Sequence, residues 1–217
     1  RQLRDLLTEQ ARQMTAVRKK TSRQLEHAVV RELADLHMKD AQFRVVFDDE
    51  LRKSPEPFRA KGWDRLHFAM STNPGEPVKP LAKIASGGEL SRIMLALKTI
   101  FNQVDEVDAL IFDEIDTGVS GRAAQAIAEK MYRIATKKQV LCVTHLPQVA
   151  CMADRHYYIV KETTAGHTVT RVERLNEKER IKELARMLGG VEVTRKTEQH
   201  AAEMLRLAAK SKEHATA

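Results

Sequence analysis

Two short apolar runs, Ala109 to Phe112 and Val140 to Thr144, constrain the fold of this chain most. Each reads as a strand covered on both faces, because aliphatic residues follow one another without polar alternation. Between them, Arg122 to Ala135 carries a helical pattern. Another helix is predicted from about Gly87 to Asn102, ahead of the first strand. Strands alternating with helices in this way build an α/β sheet with parallel strands.

The flanks are read from simpler signals. Residues 1 to about 40 lack Gly and Pro, and Leu7, Ala11, Met14, Arg18, Thr21, Leu25 and Ala28 follow alternating steps of four and three. That spacing is a coiled-coil seam interrupted by Arg18 and Thr21, or the apolar stripe of a helix packed on the domain. The boundary is expected near residue 40, with one α/β lobe over 41–217. Ala41 to Phe47 and Arg65 to Met70 are β-leaning, with a loop at Ser54-Pro55-Glu56-Pro57 between them. Asn73-Pro74-Gly75-Glu76-Pro77 and Pro80 mark a turn-rich connection. Residues 156–161 and 168–175 form a predicted hairpin around Ala165-Gly166. Helices are expected at 177–188 and 194–210, parted by Gly189-Gly190.

Bulk composition bounds the function classes. The 217 residues suffice for one globular domain plus an appendage. A net charge of +7 favours polyanions, or is the surface balance of a chain whose partner segments are acidic. The two cysteines, Cys142 and Cys151, stand in no metal-ligand or redox spacing and read as small hydrophobes in a reducing compartment. No apolar run approaches the roughly 20 residues of a membrane helix. No signal-peptide pattern is read in these residues, but the chain starts at Arg1 inside a helical pattern, which leaves room for an N-terminal address before it.

Three segments carry candidate chemistry. In Ser86-Gly87-Gly88-Glu89, a Ser followed three residues later by Glu is a capping box that opens a helix at Gly87. The glycines leave backbone N–H groups open to a phosphate, and the helix dipole adds positive charge. The same residues also suit a plain capped helix. Asp113-Glu114 ends the first apolar strand at the edge where α/β proteins bind ligands. Adjacent strand residues point to opposite sides, so the pair divides its tasks. Asp113 suits Mg²⁺, directly or through water, and Glu114 suits an attacking water. A solvated turn is the other reading. His145 follows the second strand, placed to donate to a phosphate oxygen or to serve structure. Nowhere is a Gly followed by Lys and then Ser or Thr, so the phosphate-cradling P-loop is absent from this sequence.

Taken in order, these segments resemble the head of ABC-type ATPases. Ser86, Gly87 and Gly88 match the signature motif, with Glu89 beside them. Asp113 and Glu114 match the Walker B aspartate and catalytic glutamate. Asp116 lies in the D-loop, and His145 is the switch histidine. The resemblance narrows with Asn73-Pro74-Gly75-Glu76, Lys79 to Arg92, Asp113 to Gly121, and Thr144-His145-Leu146-Pro147-Gln148-Val149-Ala150. These segments are similar to the RecN family of bacterial SMC-like DNA repair proteins, from about residue 70 to the C-terminus.

The resemblance implies a specific organisation. Residues 1–40 would be the returning end of the family's coiled-coil arm, and 41–217 the C-terminal lobe of its ATPase head. The Walker A lobe would precede that arm. ATP and Mg²⁺ would be the cofactors, sandwiched between two heads. Glu114 would serve nucleotide on its own head, while Ser86 and Gly88 close over the γ-phosphate of a second copy. A lone chain of this kind would be inactive. DNA would be bound without sequence preference, in the cytoplasm at the nucleoid, with no membrane contact. Arg18-Lys19-Lys20 with Arg23, and Lys178, Arg180, Lys182 and Arg186 interleaved with acids, are the basic clusters on offer. Another SMC or ABC machine, or a non-catalytic coiled-coil dimerisation and tethering module, are the alternatives.

Overall fold

The computed structural model describes residues 2–48, 58–83, 87–102, 104–164, 167–190 and 192–216. The loop expected at Ser54 to Pro57, the hairpin tip at Ala165-Gly166, and Ser86 with its capping box lie outside them. The chain divides into two compact units, Arg1–Phe101 and Asn102–Ala217.

In the first unit, helix α1 (Gln2–Asp35) leads into a small antiparallel sheet of β1 (Gln42–Asp48), β2 (Arg65–Ser71) and β3 (Lys79–Pro80). Helix α2 (Gly87–Phe101) completes the unit and, like β1, packs on α1. Helix α1 stops in a Schellman motif. His37 sits at φ 61°, and the Met38 N–H reaches back to the Leu33 carbonyl at 2.9 Å. The core gathers Val29, Leu33 and Leu36 with Phe43, Met70 and the Ile93, Leu95, Ala96 face of α2.

The expected seam of α1 is only partly the buried one. Ala11, Thr15, Val29 and Leu33 are buried, whereas Leu7 and Met14 are 43% and 41% exposed. The shift by one position has a polar cause. Asp64, whose side chain is 1% exposed, accepts from Thr15 Oγ1 at 2.8 Å and from Arg18 Nη1 at 3.0 Å. The Trp63 indole N–H donates to the same Thr15 hydroxyl. This network turns the Thr15 and Arg18 side of the helix toward the unit. Leu3, Leu6 and Val17 remain exposed with Leu7 and Met14.

In the second unit, β4 (Ala109–Phe112) and β5 (Gln139–Cys142) pair in parallel, Ala109 opposite Gln139 and Phe112 opposite Cys142. The strand expected to reach Thr144 thus ends two residues earlier. The intervening helix α3 (Gly121–Ala135) buries Ala123, Ala124, Ile127, Ala128, Met131 and Ile134. Each of the larger residues contributes about 1.5–3 kcal/mol by leaving water. The Lys138 ammonium fixes the approach to β4 by donating to the carbonyls of Asp105 and Val107, at 2.5 and 2.6 Å.

In the rest of the second unit the hairpin and the two closing helices lie where the sequence places them, and one short helix was not expected. A short helix α4 (Pro147–Ala150) leads to the antiparallel hairpin of β6 (Tyr157–Thr164) and β7 (His167–Arg174). Helices α5 (Glu177–Gly189) and α6 (Arg195–Thr216) close the chain and pack on each other through Leu184, Ala185, Ala201 and Ala208. A reciprocal capping box starts α5: Asn176 Oδ1 accepts from the Glu179 N–H, and Glu179 accepts from the Asn176 N–H.

Candidate functional site

The parallel pair delivers two chain segments to one edge. The Val143 N–H donates to the Phe112 carbonyl at 2.9 Å, carrying the ladder one residue past the end of β5. Residues 113–116 leave β4 at this edge, and residues 143–146 leave β5 beside them.

The first of these segments is a turn with a sharp division between its residues. Asp113 and Glu114 are exposed, whereas Ile115 and Asp116 are 0% and 2% exposed. Because β4 ends at Phe112, the two acids are not on a pleated strand as expected. Their separation comes from backbone curvature, with Glu114 in the left-handed region at φ 56°. Asp113 Oδ1 accepts the Glu114 N–H at 2.9 Å, and the Glu114 carbonyl accepts from the Thr117 N–H at 3.1 Å. Gly118 and Gly121 supply two further positive φ angles, 73° and 52°, so the chain coils tightly before α3.

Asp116 ties the two segments together. Its Oδ2 accepts from the Thr144 hydroxyl at 2.5 Å and from the His145 backbone N–H at 2.9 Å. The Nδ1 of His145 lies 3.2 Å from the same oxygen. Thr144 Oγ1 in turn accepts from the Leu146 N–H at 3.0 Å, a local turn that precedes Pro147 at the start of α4. The His145 side chain is 70% exposed, so its ring stands at the surface beside the buried acid.

Beneath this edge, Cys142 has its thiol pushed up to about 12, first by burial and then by the carboxylates of Asp116 and Asp113. It is a neutral free thiol, as is Cys151, which burial also pushes up. Cys151 fits the expectation of a small buried hydrophobe, whereas Cys142 is only half-buried.

The sequence-predicted residues therefore fall into two groups. Asp113, Glu114, Asp116 and His145 come together in the second unit. Gly87, Gly88 and Glu89 belong to the first unit, where Gly87 opens α2 and Gly88 is buried. Arg92, one turn on, is 8% exposed; burial holds its guanidinium below the usual value, opposed by the Glu89 carboxylate. The residue that sequence reasoning missed is Thr144. Its signal was a hydroxyl immediately before the histidine and three residues before a proline.

Among the described residues, no group of three or more His, Cys, Asp or Glu could hold a metal ion. Two exposed carboxylates at a sheet edge are instead the share of ligands a protein gives to Mg²⁺ that keeps waters and binds phosphate. The residues fit that mode.

Among curated proteins, the chain is 53% identical over 195 residues to the DNA repair protein RecN of Halalkalibacterium halodurans. That match covers 90% of the chain and 34% of the relative. The chain belongs to the RecN family. RecN of Bacillus subtilis is 47% identical over 209 residues, covering 92% of the chain and 36% of the relative. For RecN of Vibrio cholerae the identity is 42% over 185 residues, covering 85% and 32%. The chain thus spans about a third of the length of the RecN proteins it matches. No protein-family model matches it.

Among solved structures, the Smc head domain with a coiled coil and joint from Pyrococcus yayanosii aligns at a TM-score of 0.54 and 20% identity, covering 83% of this chain and 32% of that one. The Smc head domain of Pyrococcus furiosus, solved with an extended coiled coil and bound to the C-terminal domain of ScpA, aligns at 0.51 and 19%, covering 85% and 42%. The RecN-family chain therefore has the α/β fold of an SMC-type head fragment, with a long N-terminal helix. No helix among the described residues is long and apolar enough to cross a membrane.

Proposed function

We propose that this chain is the part of a RecN-type ATPase head that supplies the signature, Walker B, D-loop and switch-histidine segments, and that it acts on ATP cradled by a P-loop lobe elsewhere in the protein. The observation that carries this reading is the gathering of Asp113, Glu114, Thr144 and His145 around buried Asp116 at the carboxyl edge of a parallel strand pair. Ligands of open α/β sheets bind at that edge.

The roles follow from the chemistry of each group. Glu114, exposed and projecting from a left-handed turn, polarises the attacking water. Asp113 would hold Mg²⁺, directly or through water, and the ion when bound would supply charge neutralisation for phosphoryl transfer. His145 faces the γ-phosphate. The glycines at the start of α2, with Ser86 before them, close over nucleotide held by a second copy. ATP binding then favours engaged heads and hydrolysis releases them.

Residues 1–40 are the end of a coiled-coil arm, for which exposed Leu3, Leu7, Met14 and Val17 provide an apolar edge. DNA is held without sequence preference, through phosphate contacts that weaken with salt. The setting is double-strand break repair at the nucleoid.

Glu114→Gln in the intact protein tests the reading. Turnover is expected to fall by about 100-fold or more while ATP still binds. ATP-bound dimers should accumulate in light scattering or analytical ultracentrifugation. Unchanged turnover would remove the Glu114 assignment. This chain by itself, without a P-loop, is expected to show no ATPase activity above background, and dimerisation with nucleotide only after the P-loop lobe is added.

A further inference from the structure

The two basic clusters of the sequence meet different fates in the fold. In the second unit, Arg180 donates to the Ala153 carbonyl at 2.7 Å, and Arg186 forks onto Glu183 at 2.7 and 2.8 Å. Lys178 and Lys182 stay exposed, but exposed Glu177 and Glu179 stand among them. In the first unit the cations have no such company. From Gln10 to Arg31 the chain holds one acid, Glu26, against six Lys and Arg. Glu26 is turned inward: it is 17% exposed, accepts the Val45 N–H at 2.8 Å and lies 3.6 Å from Arg44. Arg18 is spent on Asp64 and the Lys61 carbonyl. Arg12, Lys19, Lys20 and Arg23 are exposed and make no ion pair or hydrogen bond among the described residues. The Lys19 ammonium lies over the Phe47 ring, 5.8 Å from its centroid, which orients the cation without neutralising it.

Helix α1 sorts its residues onto three faces. Ala11, Thr15, Val29 and Leu33 fall within an arc of about 40° at 3.6 residues per turn, and all four are buried. Leu3, Leu7, Met14 and Val17 fill a second arc of about 80° and are exposed. Arg12, Lys19, Lys20 and Arg23 fill a third arc of about 100°, centred roughly 150° from that apolar edge. A helix packed on the apolar edge therefore leaves the cations free. We infer that this third face is a surface for the backbone of duplex DNA, with Lys19, Lys20 and Arg23 as its main phosphate contacts. The inference rests on the reading that the intact protein holds DNA, and it places that DNA on the first unit. From Arg12 to Arg23 the stripe runs about 16 Å at 1.5 Å per residue. A duplex carries one charge per about 1.7 Å, so roughly ten phosphates lie along that length. Four flexible cations with no apolar anchor among them suit a dense line of charge, whereas the core of a protein interface is apolar. The neighbouring rings are engaged within the unit: Trp63 stacks on Phe58 at 6.0 Å and donates to Thr15. Stacking on unpaired bases is thus not offered, and the contact is to the backbone.

The test is the salt dependence of binding by the intact protein to a labelled duplex of mixed sequence, between about 50 and 200 mM salt. Each phosphate contact adds about 0.9 to the slope of log affinity against log salt. The triple variant Lys19→Gln, Lys20→Gln, Arg23→Gln is expected to lower that slope by about 2 to 3 and the affinity at low salt by about 10-fold or more. Lys178→Gln with Lys182→Gln, on the other basic cluster, should leave the slope within about 0.5 of the unaltered value. An unchanged slope in the triple variant, or an equal fall in the second variant, would overturn the inference.

Two further arms keep the result readable. Lys20→Gln alone removes one exposed side chain and should lower the slope by about 0.9, so the inference stays open to refutation even if the triple variant does not fold. Lys19→Arg, Lys20→Arg, Arg23→Lys preserves charge and should keep the slope; a fall as large as in the Gln variant would show that these side chains serve the helix and not the DNA. Poly-glutamate displacing the duplex at equal charge concentration would reassign the stripe to an acidic protein. An unaltered protein that binds no duplex would fault the DNA reading itself, which is a different outcome from bound DNA whose salt slope ignores the stripe.

Discussion

The backbone N–H of Glu114 donates to the Asp113 carboxylate at 2.9 Å while Glu114 itself is held at φ 56°. A non-glycine residue in that region costs about 1–2 kcal/mol, and it persists only where the surroundings over-determine it. Glu114→Gly should therefore leave stability unchanged or raise it by up to about 1 kcal/mol, the relieved strain being partly offset by a freer unfolded chain. On the role proposed for Glu114, the same substitution in the intact protein should abolish ATP turnover. Urea midpoints and turnover measured together check this split. A stability loss above about 1 kcal/mol would mean that the Glu114 side chain holds the turn.

Asp64 is the keystone of the contact between α1 and the loop before β2. With its side chain 1% exposed it accepts from Thr15 and Arg18, and Arg18 also donates to the Lys61 carbonyl. Asp64→Ala leaves a buried hydroxyl and a part-buried guanidinium without this acceptor. The expected loss is about 2–3 kcal/mol, below the full value for a buried pair because Arg18 is 30% exposed. Asp64→Asn, which keeps an acceptor, should lose roughly half as much. Denaturant unfolding of both variants provides the comparison, and equal losses would show that charge rather than hydrogen bonding is what matters.

Much of the fold was legible because local signals and tertiary demands agree. The apolar run 109–112 is β4 residue for residue, although it is not covered on both faces as expected, since Ile111 is 74% exposed, and the hairpin and closing helices fall within a few residues of their expected places. Fine geometry was less legible. Nothing local says that Thr15 beats Leu7 and Met14 for the covered side of α1, since that choice is made by Asp64 from 49 residues away. Likewise the pleat argument for Asp113 and Glu114 failed because the strand stops first, and only the backbone shows the left-handed step. Asp116 could be read as an acidic turn residue, but its burial depends on Thr144 and His145, which arrive 28 and 29 residues later.

Gly62 follows the same logic of close approach. Its φ is 89°, and a Cβ there would sit 2.9 Å from Met14 Sδ and 3.3 Å from Arg18 Nη1. Gly62→Ala is expected to lose about 1–2 kcal/mol from the backbone alone. Met14 is a flexible side chain, so the steric part is small. Met14→Ala in the Gly62→Ala background should therefore recover little in thermal unfolding. Full recovery would assign the cost to the clash and not to the backbone.

His156 gives the second unit an acid sensitivity. Burial holds its imidazole below the ordinary value of 6.5, Arg180 adds to that effect and Glu183 opposes it. Its Nδ1 is buried without a hydrogen-bond partner among the described residues. The unfolded chain then binds a proton at a pH where the folded chain does not. Stability from this group is present above 6.5 and is lost as pH falls through the depressed folded value. Between pH 7 and pH 5 the unaltered protein should lose more stability than His156→Gln, whose side chain does not titrate. Arg180→Gln, which removes a cation that lowers the folded value, should bring that value back toward 6.5 and so make the loss smaller. Urea midpoints at half-unit pH steps read both effects, and parallel pH profiles for all three proteins would show that His156 charges as easily folded as unfolded.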